Sequence, residues 1–202
     1  MTETKTFSSG DAFRFGWNAF QANMGTFIIV GIISLVGSMI PIVSIVVGIV
    51  IHLGVITVGL KLVGGAQKVT VEDFFSNYRL FFSYLLASVL VGVISGIGFL
   101  LLIIPGIIAC VGLQFFGYFI VERNAGPVDS LKQSWELTKG VRWNLFVFGL
   151  LVIGLNILGA IALLIGLIAT IPTSMVATAY VYRKLSGGSV TVPTAPAPAP
   201  AA

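Results

Sequence analysis

Three long stretches of the chain, 15–60, 80–121 and 143–182, contain no Asp, Glu, Lys or Arg, and every charged residue lies outside them. An ionised side chain at the centre of a bilayer costs roughly 2.5–3.5 kcal/mol, which accounts for the gaps if these stretches sit in lipid. The apolar run 24–60, taken as one helix, would measure roughly 55 Å at about 1.5 Å per residue. The hydrocarbon core is only about 30 Å thick, so two shorter helices fit where one does not. The segment Gly37-Ser38-Met39-Ile40-Pro41 supplies the break, because proline lacks a backbone donor and restricts the residue before it. The expected helices are 25–39 and 43–62. In the second stretch the break is Ile104-Pro105-Gly106, giving helices 80–103 and 106–122. In the third, Gly154, Gly159 and Gly166 mark the middle, placing helices at 142–160 and 164–184 with Pro172 kinking the last. The expected fold is all-α: a polytopic membrane bundle of six transmembrane helices arranged as three hairpins.

Each hairpin is preceded by a short amphipathic segment, beginning near Asp11, Asp73 and Asp129. In the first, Phe13, Trp17, Phe20, Met24 and Phe27 recur at spacings of four and three, which places them on one helical face. Phe74, Tyr78, Phe81 and Leu85 do so in the second, and Val128, Leu131 and Trp135 in the third, where Pro127 suits a first helical position. Units of about 60 residues with this layout suggest internal duplication. They divide a single transmembrane domain, 1–185, into approximate repeats 8–65, 70–125 and 126–185. Two readings of the amphipathic segments stand side by side. They are interfacial helices anchored by Trp17, Tyr78, Trp135 and Trp143, since aromatic rings favour the headgroup level, or they are extensions that start each crossing. Residues 186–202, rich in Pro and Ala, have no apolar periodicity and are expected to form a disordered tail.

Composition adds compartment and orientation. Of the 202 residues, 57% are apolar and 9% charged, against about 25% charged in soluble domains. The basic clusters Lys5/Arg14, Lys61/Lys68/Arg79, Arg123/Lys132/Lys139/Arg142 and Arg183/Lys184 all fall on one side of a six-crossing layout. Positive residues stay cytoplasmic, so both termini are expected inside, and no cleavable signal peptide is expected before the first crossing. The single cysteine, Cys110, excludes an internal disulfide and reads as a small buried residue.

Candidate chemistry is sparse. His52, Gln114 and Asn156 lie within the apolar stretches. Polar groups in lipid suggest function by default, so the three could line a shared polar path. The competing and favoured reading is interhelical glue, worth about 0.6 kcal/mol per contact. Ser88, Gly92 and Gly96 form a small-residue ridge that allows another helix, of this chain or another copy, to approach closely. Glu122 and Arg123 read as an interfacial anchor, and Lys132 with Glu136 as an exposed pair of little energetic weight. One histidine and one cysteine cannot make a conventional zinc site, and no phosphate-binding or dinucleotide loop is present. No catalytic residue, cofactor or metal is therefore expected, and the basic residues, already explained by topology, do not argue for nucleic acid.

Two segments carry a family likeness. One is Leu101-Leu102-Ile103-Ile104-Pro105-Gly106-Ile107. The other runs from Val121-Glu122 through Gly126-Pro127, Ser130-Leu131-Lys132 and Ser134-Trp135-Glu136-Leu137-Thr138-Lys139-Gly140 to Trp143. Together with Gly10-Asp11-Ala12 and Phe15-Gly16-Trp17, they resemble a bacterial membrane family. Its members include the membrane domain fused to some glycerophosphoryl diester phosphodiesterases and the YciC-like inner-membrane proteins. The resemblance implies a multi-pass protein of the bacterial cytoplasmic membrane, with phosphodiesterase activity belonging to a separate soluble domain. The functional expectation is a non-enzymatic scaffold or accessory subunit that contacts membrane lipids, a larger membrane complex or other copies of itself. The alternatives are a transporter or channel for a small or lipid-like solute, and a membrane-shaping protein.

Overall fold

A computed structural model describes residues 7–37, 41–161 and 165–190. Among them ten α-helices and one short 3-10 turn occur and no strand. The helices are α1 (Ser9–Ala22), α2 (Met24–Gly37), α3 (Pro41–Val63), α4 (Val71–Phe75), α5 (Phe81–Leu101), α6 (Ile103–Leu113), α7 (Phe116–Arg123), α8 (Pro127–Leu137), α9 (Arg142–Ile161) and α10 (Ile165–Leu185). Four stretches are long and apolar enough to cross a membrane: Val46–Val63, Val71–Leu101, Ile103–Arg123 and Arg142–Ile161. Met24–Ser34 is a shorter apolar helix. The protein is thus an all-helical membrane protein by length and composition. The expected breaks at 38–40 and 162–164, and residues 191–202 of the expected disordered segment, lie outside the described residues.

Local chemistry sets the helix ends. Ser8 caps α1 by accepting from the Asp11 N–H at 3.3 Å, and Thr70 and Asp73 form a reciprocal capping box on α4. Pro41 and Pro127 open α3 and α8, where a missing N–H costs nothing. Pro105 departs from expectation. The α5–α6 break falls at Leu102, which is extended (φ −163°, ψ 152°), and Pro105 sits in the first turn of α6. The first four N–H groups of a helix have no intrahelical partner, so proline is tolerated there as readily as in the turn itself. The expected helix 106–122 is also not continuous, because it is interrupted at Gln114 and Phe115.

The packed core lies toward the charged ends of the helices. The second half of α10 is its hub: Val176, Ala177, Ala179, Val181 and Tyr182 are all at most 1% exposed, with α1, α3 and α9 packed around it. α1 reaches α10 through its small residues. Ala12, Gly16 and Ala19 are buried, and a Cβ on Gly16 would stand 2.2 Å from the Thr173 carbonyl oxygen. Gly59 meets Ala179 in the same way, at 2.8 Å from an added Cβ. On α1 the buried face therefore runs through Ala12, Phe15, Gly16 and Ala19, joined by Phe20, while Trp17 and Met24 of the expected aromatic face are 44% and 45% exposed.

Away from this core the helices are bare. α5 and α9 are the least covered of the crossing stretches, and Leu100 to Ile104 at the α5–α6 tip are 69–87% exposed. Cys110 is exposed as well, contrary to the buried placement its residue type suggested. On an apolar helix whose outer face meets lipid, a thiol needs no protein cover.

Candidate functional site

The charged ends of α3, α7 and α10 converge on a cavity of about 420 Å³ that opens broadly to the surface. Its lining combines Thr57, Lys61, Asn77, Glu122 and Arg183 with Leu60, Gly64, Ala66 and Val121. Two ion pairs frame it. Arg183 Nη1 pairs with Glu122 Oε1, and Lys61 Nζ donates to Asp73 Oδ1 at 2.5 Å. Tyr182 Oη donates to the other Glu122 oxygen at 2.6 Å. The tyrosine is fixed in turn by stacking on Tyr118, with ring centroids 4.7 Å apart. On the opposite wall Asn77 Nδ2 donates to Thr57 Oγ1 at 2.7 Å, and Thr57 Oγ1 donates to the Leu53 carbonyl at 2.8 Å. Thr70 N–H donates to Asp73 Oδ2 at 2.9 Å, so that carboxylate serves α4 and Lys61 together. The lining carries charge of both signs, the cations Lys61 and Arg183 and the carboxylate Glu122, with Asp73 paired to Lys61.

Glu122 is thus not a free interfacial anchor. It joins α7 to α10 across sixty residues of sequence. Arg123, its neighbour, turns elsewhere: it donates to Gln133 at 3.3 Å and lies over the Phe119 ring at 5.0 Å. The expected Lys132–Glu136 pair is replaced by Lys139–Glu136, one helical turn apart at 3.1 Å.

A second constellation sits where α6 gives way to α7. The break at Gln114 and Phe115 frees backbone groups, and α8 supplies partners for them. Ser134 Oγ accepts from the Phe115 N–H at 3.1 Å and donates to the Gly112 carbonyl at 2.9 Å. Thr138 Oγ1 also reaches that carbonyl, at 3.3 Å. Beside them the Trp135 ring packs where Gly112 has no side chain, since an added Cβ would lie 2.5 Å from it. The Arg142 guanidinium covers that ring, 3.7 Å from its centroid. The spacing Ser130, Ser134, Thr138 is that of one helical face, and all three are fully buried. Apolar periodicity does not register this stripe, because its residues are small and hydroxylated.

The expected polar path does not assemble among the described residues. His52 Nδ1 shares a 2.9 Å hydrogen bond with Tyr84 Oη between α3 and α5. Asn156 Nδ2 donates to Val152 O at 2.9 Å and to Ser174 Oγ at 3.2 Å, between α9 and α10. Gln114 sits at the α6–α7 break with its Nε2 buried and without a partner. No hydrogen bond joins any two of the three. Of the aromatic residues read as anchors, Tyr78 and Trp143 are 59% and 73% exposed, whereas Trp135 is taken up by Gly112 and Arg142. Ser88 turns its hydroxyl to the Tyr84 carbonyl at 2.8 Å, and an added Cβ at Gly92 or Gly96 would meet nothing within 4 Å. The small-residue ridge is therefore open, and no helix of the described chain fills it. A residue that sequence reading missed is Asn23. Buried at the α1–α2 joint, it accepts from the Val69 N–H at 2.9 Å and donates to Ala19 O at 3.1 Å and Gln67 O at 3.4 Å.

Residues 97–189 match a family model described as "Protein of unknown function (DUF975)". The chain is 33% identical over 147 residues to "Uncharacterized protein Rv2560" of Mycobacterium tuberculosis (strain ATCC 25618 / H37Rv), a stretch covering 73% of this chain and 45% of that protein. "Uncharacterized protein Mb2590" of Mycobacterium bovis matches over the same length at the same identity and coverage. The chain thus spans less than half the length of these curated relatives. No solved structure matches. The chain is homologous to uncharacterised proteins, and the family match takes in the α6–α7 break, α8 and α10.

Proposed function

We propose that the protein is a non-enzymatic accessory subunit or scaffold of a bacterial cytoplasmic membrane, held by six crossings in three hairpins with both termini cytoplasmic. The observation that carries this reading is the open face of α5. Gly92 and Gly96 leave space for a close helix neighbour, and the apolar side chains around them are bare. In membranes such small-residue surfaces are where helices approach. The uncharged turns, the one-sided basic clusters and the apolar α2 and α10 support the six-crossing topology. The likeness of 126–143 to phosphodiesterase-associated and YciC-like membrane domains supports the same placement. The separate interhelical hydrogen bonds of His52 and Asn156, with Gln114 joined to neither, favour packing over a transport path. The partners this reading implies are lipids together with a membrane complex or further copies of the chain, and not nucleic acid.

Extraction in lipid nanodiscs from native membranes, comparing wild type with Gly92→Leu, tests it. The wild type is expected to carry a stoichiometric protein partner, or a second copy, that Gly92→Leu loses while remaining folded. Particles holding one copy and lipid alone would overturn the accessory reading, and solute flux into proteoliposomes would then be the next measurement.

A further inference from the structure

We infer that the cavity between α3, α7 and α10 is a binding site for a compact zwitterionic group of the phosphoethanolamine type, a phosphate beside a primary ammonium. The cavity size falls in the range of small-ligand pockets, at about 420 Å³. Its walls are polar where they meet one another and apolar at Leu60 and Val121. Both cations have donors to spare. Lys61 has three N–H groups, of which Asp73 takes one. The Arg183 guanidinium has five, and Glu122 is met through Nη1. Two cations from different helices suit the spread oxygens of a phosphate.

A simple anion is a poorer fit. Glu122 stands in the same wall, with Arg183 on one carboxylate oxygen and Tyr182 Oη donating to the other at 2.6 Å, and Asp73 pairs with Lys61. A simple cation meets Lys61 and Arg183. A dipolar group satisfies both signs, with its phosphate toward Lys61 and Arg183 and its ammonium toward Glu122. Asn77, whose Nδ2 donates to Thr57 Oγ1, presents its side-chain amide oxygen as a further acceptor for the ammonium. The cavity lies at the charged end of the helices, the level where lipid headgroups reside. Its occupant comes either from a phospholipid or from the free aminophosphate. This inference rests on the site's charge arrangement and not on the accessory-subunit reading, so either can fail alone.

Delipidated protein in detergent would be titrated with dihexanoyl-phosphatidylethanolamine, dihexanoyl-phosphatidylglycerol and free phosphoethanolamine, with binding read by native mass spectrometry. One phosphatidylethanolamine per chain is expected, preferred over phosphatidylglycerol by about ten-fold, the worth of one charge-assisted contact. Lys61→Met, at a half-exposed side chain outside the buried core, should weaken it by a similar factor. Glu122→Gln should shift the preference toward phosphatidylglycerol. Binding of free phosphoethanolamine with equal strength supports the site and assigns a soluble source. Binding of phosphatidylglycerol in preference by the wild type, no binding of any of the three, or binding that is indifferent to Lys61→Met would each overturn the assignment.

Discussion

Ser134→Ala offers the sharpest test of how α8 is held. Ser134 is fully buried, and so is Phe115, whose N–H it receives. The mutation removes two hydrogen bonds with unequal consequences. The Gly112 carbonyl keeps a share of the Thr138 hydroxyl, which lies 3.3 Å away and also donates to the Trp135 carbonyl at 3.0 Å, so its loss is partly covered. The Phe115 N–H has no substitute, because the helical ladder stops at the α6–α7 break. An unsatisfied buried donor costs about 1–3 kcal/mol. Side-chain hydrogen bonds in bilayers average only about 0.6 kcal/mol, since the unfolded reference state finds other partners. The backbone donor here is the exception, because an unbroken helix would satisfy it and the native break does not. Ser134→Ala is therefore expected to destabilise by about 1–3 kcal/mol, and Thr138→Val by about half as much. In the double variant the Gly112 carbonyl loses both partners, so its destabilisation should exceed the sum of the two single losses by about 0.5 kcal/mol or more. Equilibrium unfolding in mixed micelles of dodecyl sulfate, followed by tryptophan fluorescence, measures all four corners of the cycle. A Ser134→Ala protein within about 0.5 kcal/mol of wild type, or strict additivity, would refute the capping role.

Two further outcomes follow from the packing. Gly16→Val places a branched side chain where even a Cβ would stand 2.2 Å from Thr173 O; α1 must leave α10, at a cost of about 1–3 kcal/mol or more, visible as faster proteolysis of α1 in proteoliposomes. Tyr182→Phe removes the 2.6 Å bond to Glu122 while keeping the aromatic stack, and should lower stability by about 1.5–3 kcal/mol, the range for a hydrogen bond to a charged group, in the same unfolding assay.

Much of the architecture was legible from two signals, the charge-free stretches and the glycine and proline breaks. Those features fix where a chain is able to cross and turn, and α2, α3, α5, α9 and α10 lie close to the helices they implied. The interior of the bundle was less so, for a physical reason. In an apolar chain almost every face is apolar, so hydrophobic periodicity cannot say which one is buried. The buried faces here are marked instead by small and hydroxylated residues: Ala12, Gly16 and Ala19 on α1, Ser130, Ser134 and Thr138 on α8. The broken α6–α7 span was hidden because no glycine–proline signal marks it; the partners for its freed backbone come from α8, twenty residues onward. Glu122 was read as a surface anchor because its partners, Tyr182 and Arg183, are remote in sequence, and only folding brings them together.

The hub position of α10 has a consequence for biosynthesis. Ribosomes deliver α1 well before α10, yet the small-residue face of α1 packs on α10, with Gly16 against the Thr173 carbonyl. During translation that face must wait without α10, while the helices made before it insert with their charged ends unassembled. Final assembly is then a single late event, in which arrival of α10 seats α1, closes the aromatic stack at Tyr182 and joins Glu122 to Arg183. A chain halted before α10 would be inserted but not folded, and should be an early target of membrane quality-control proteases.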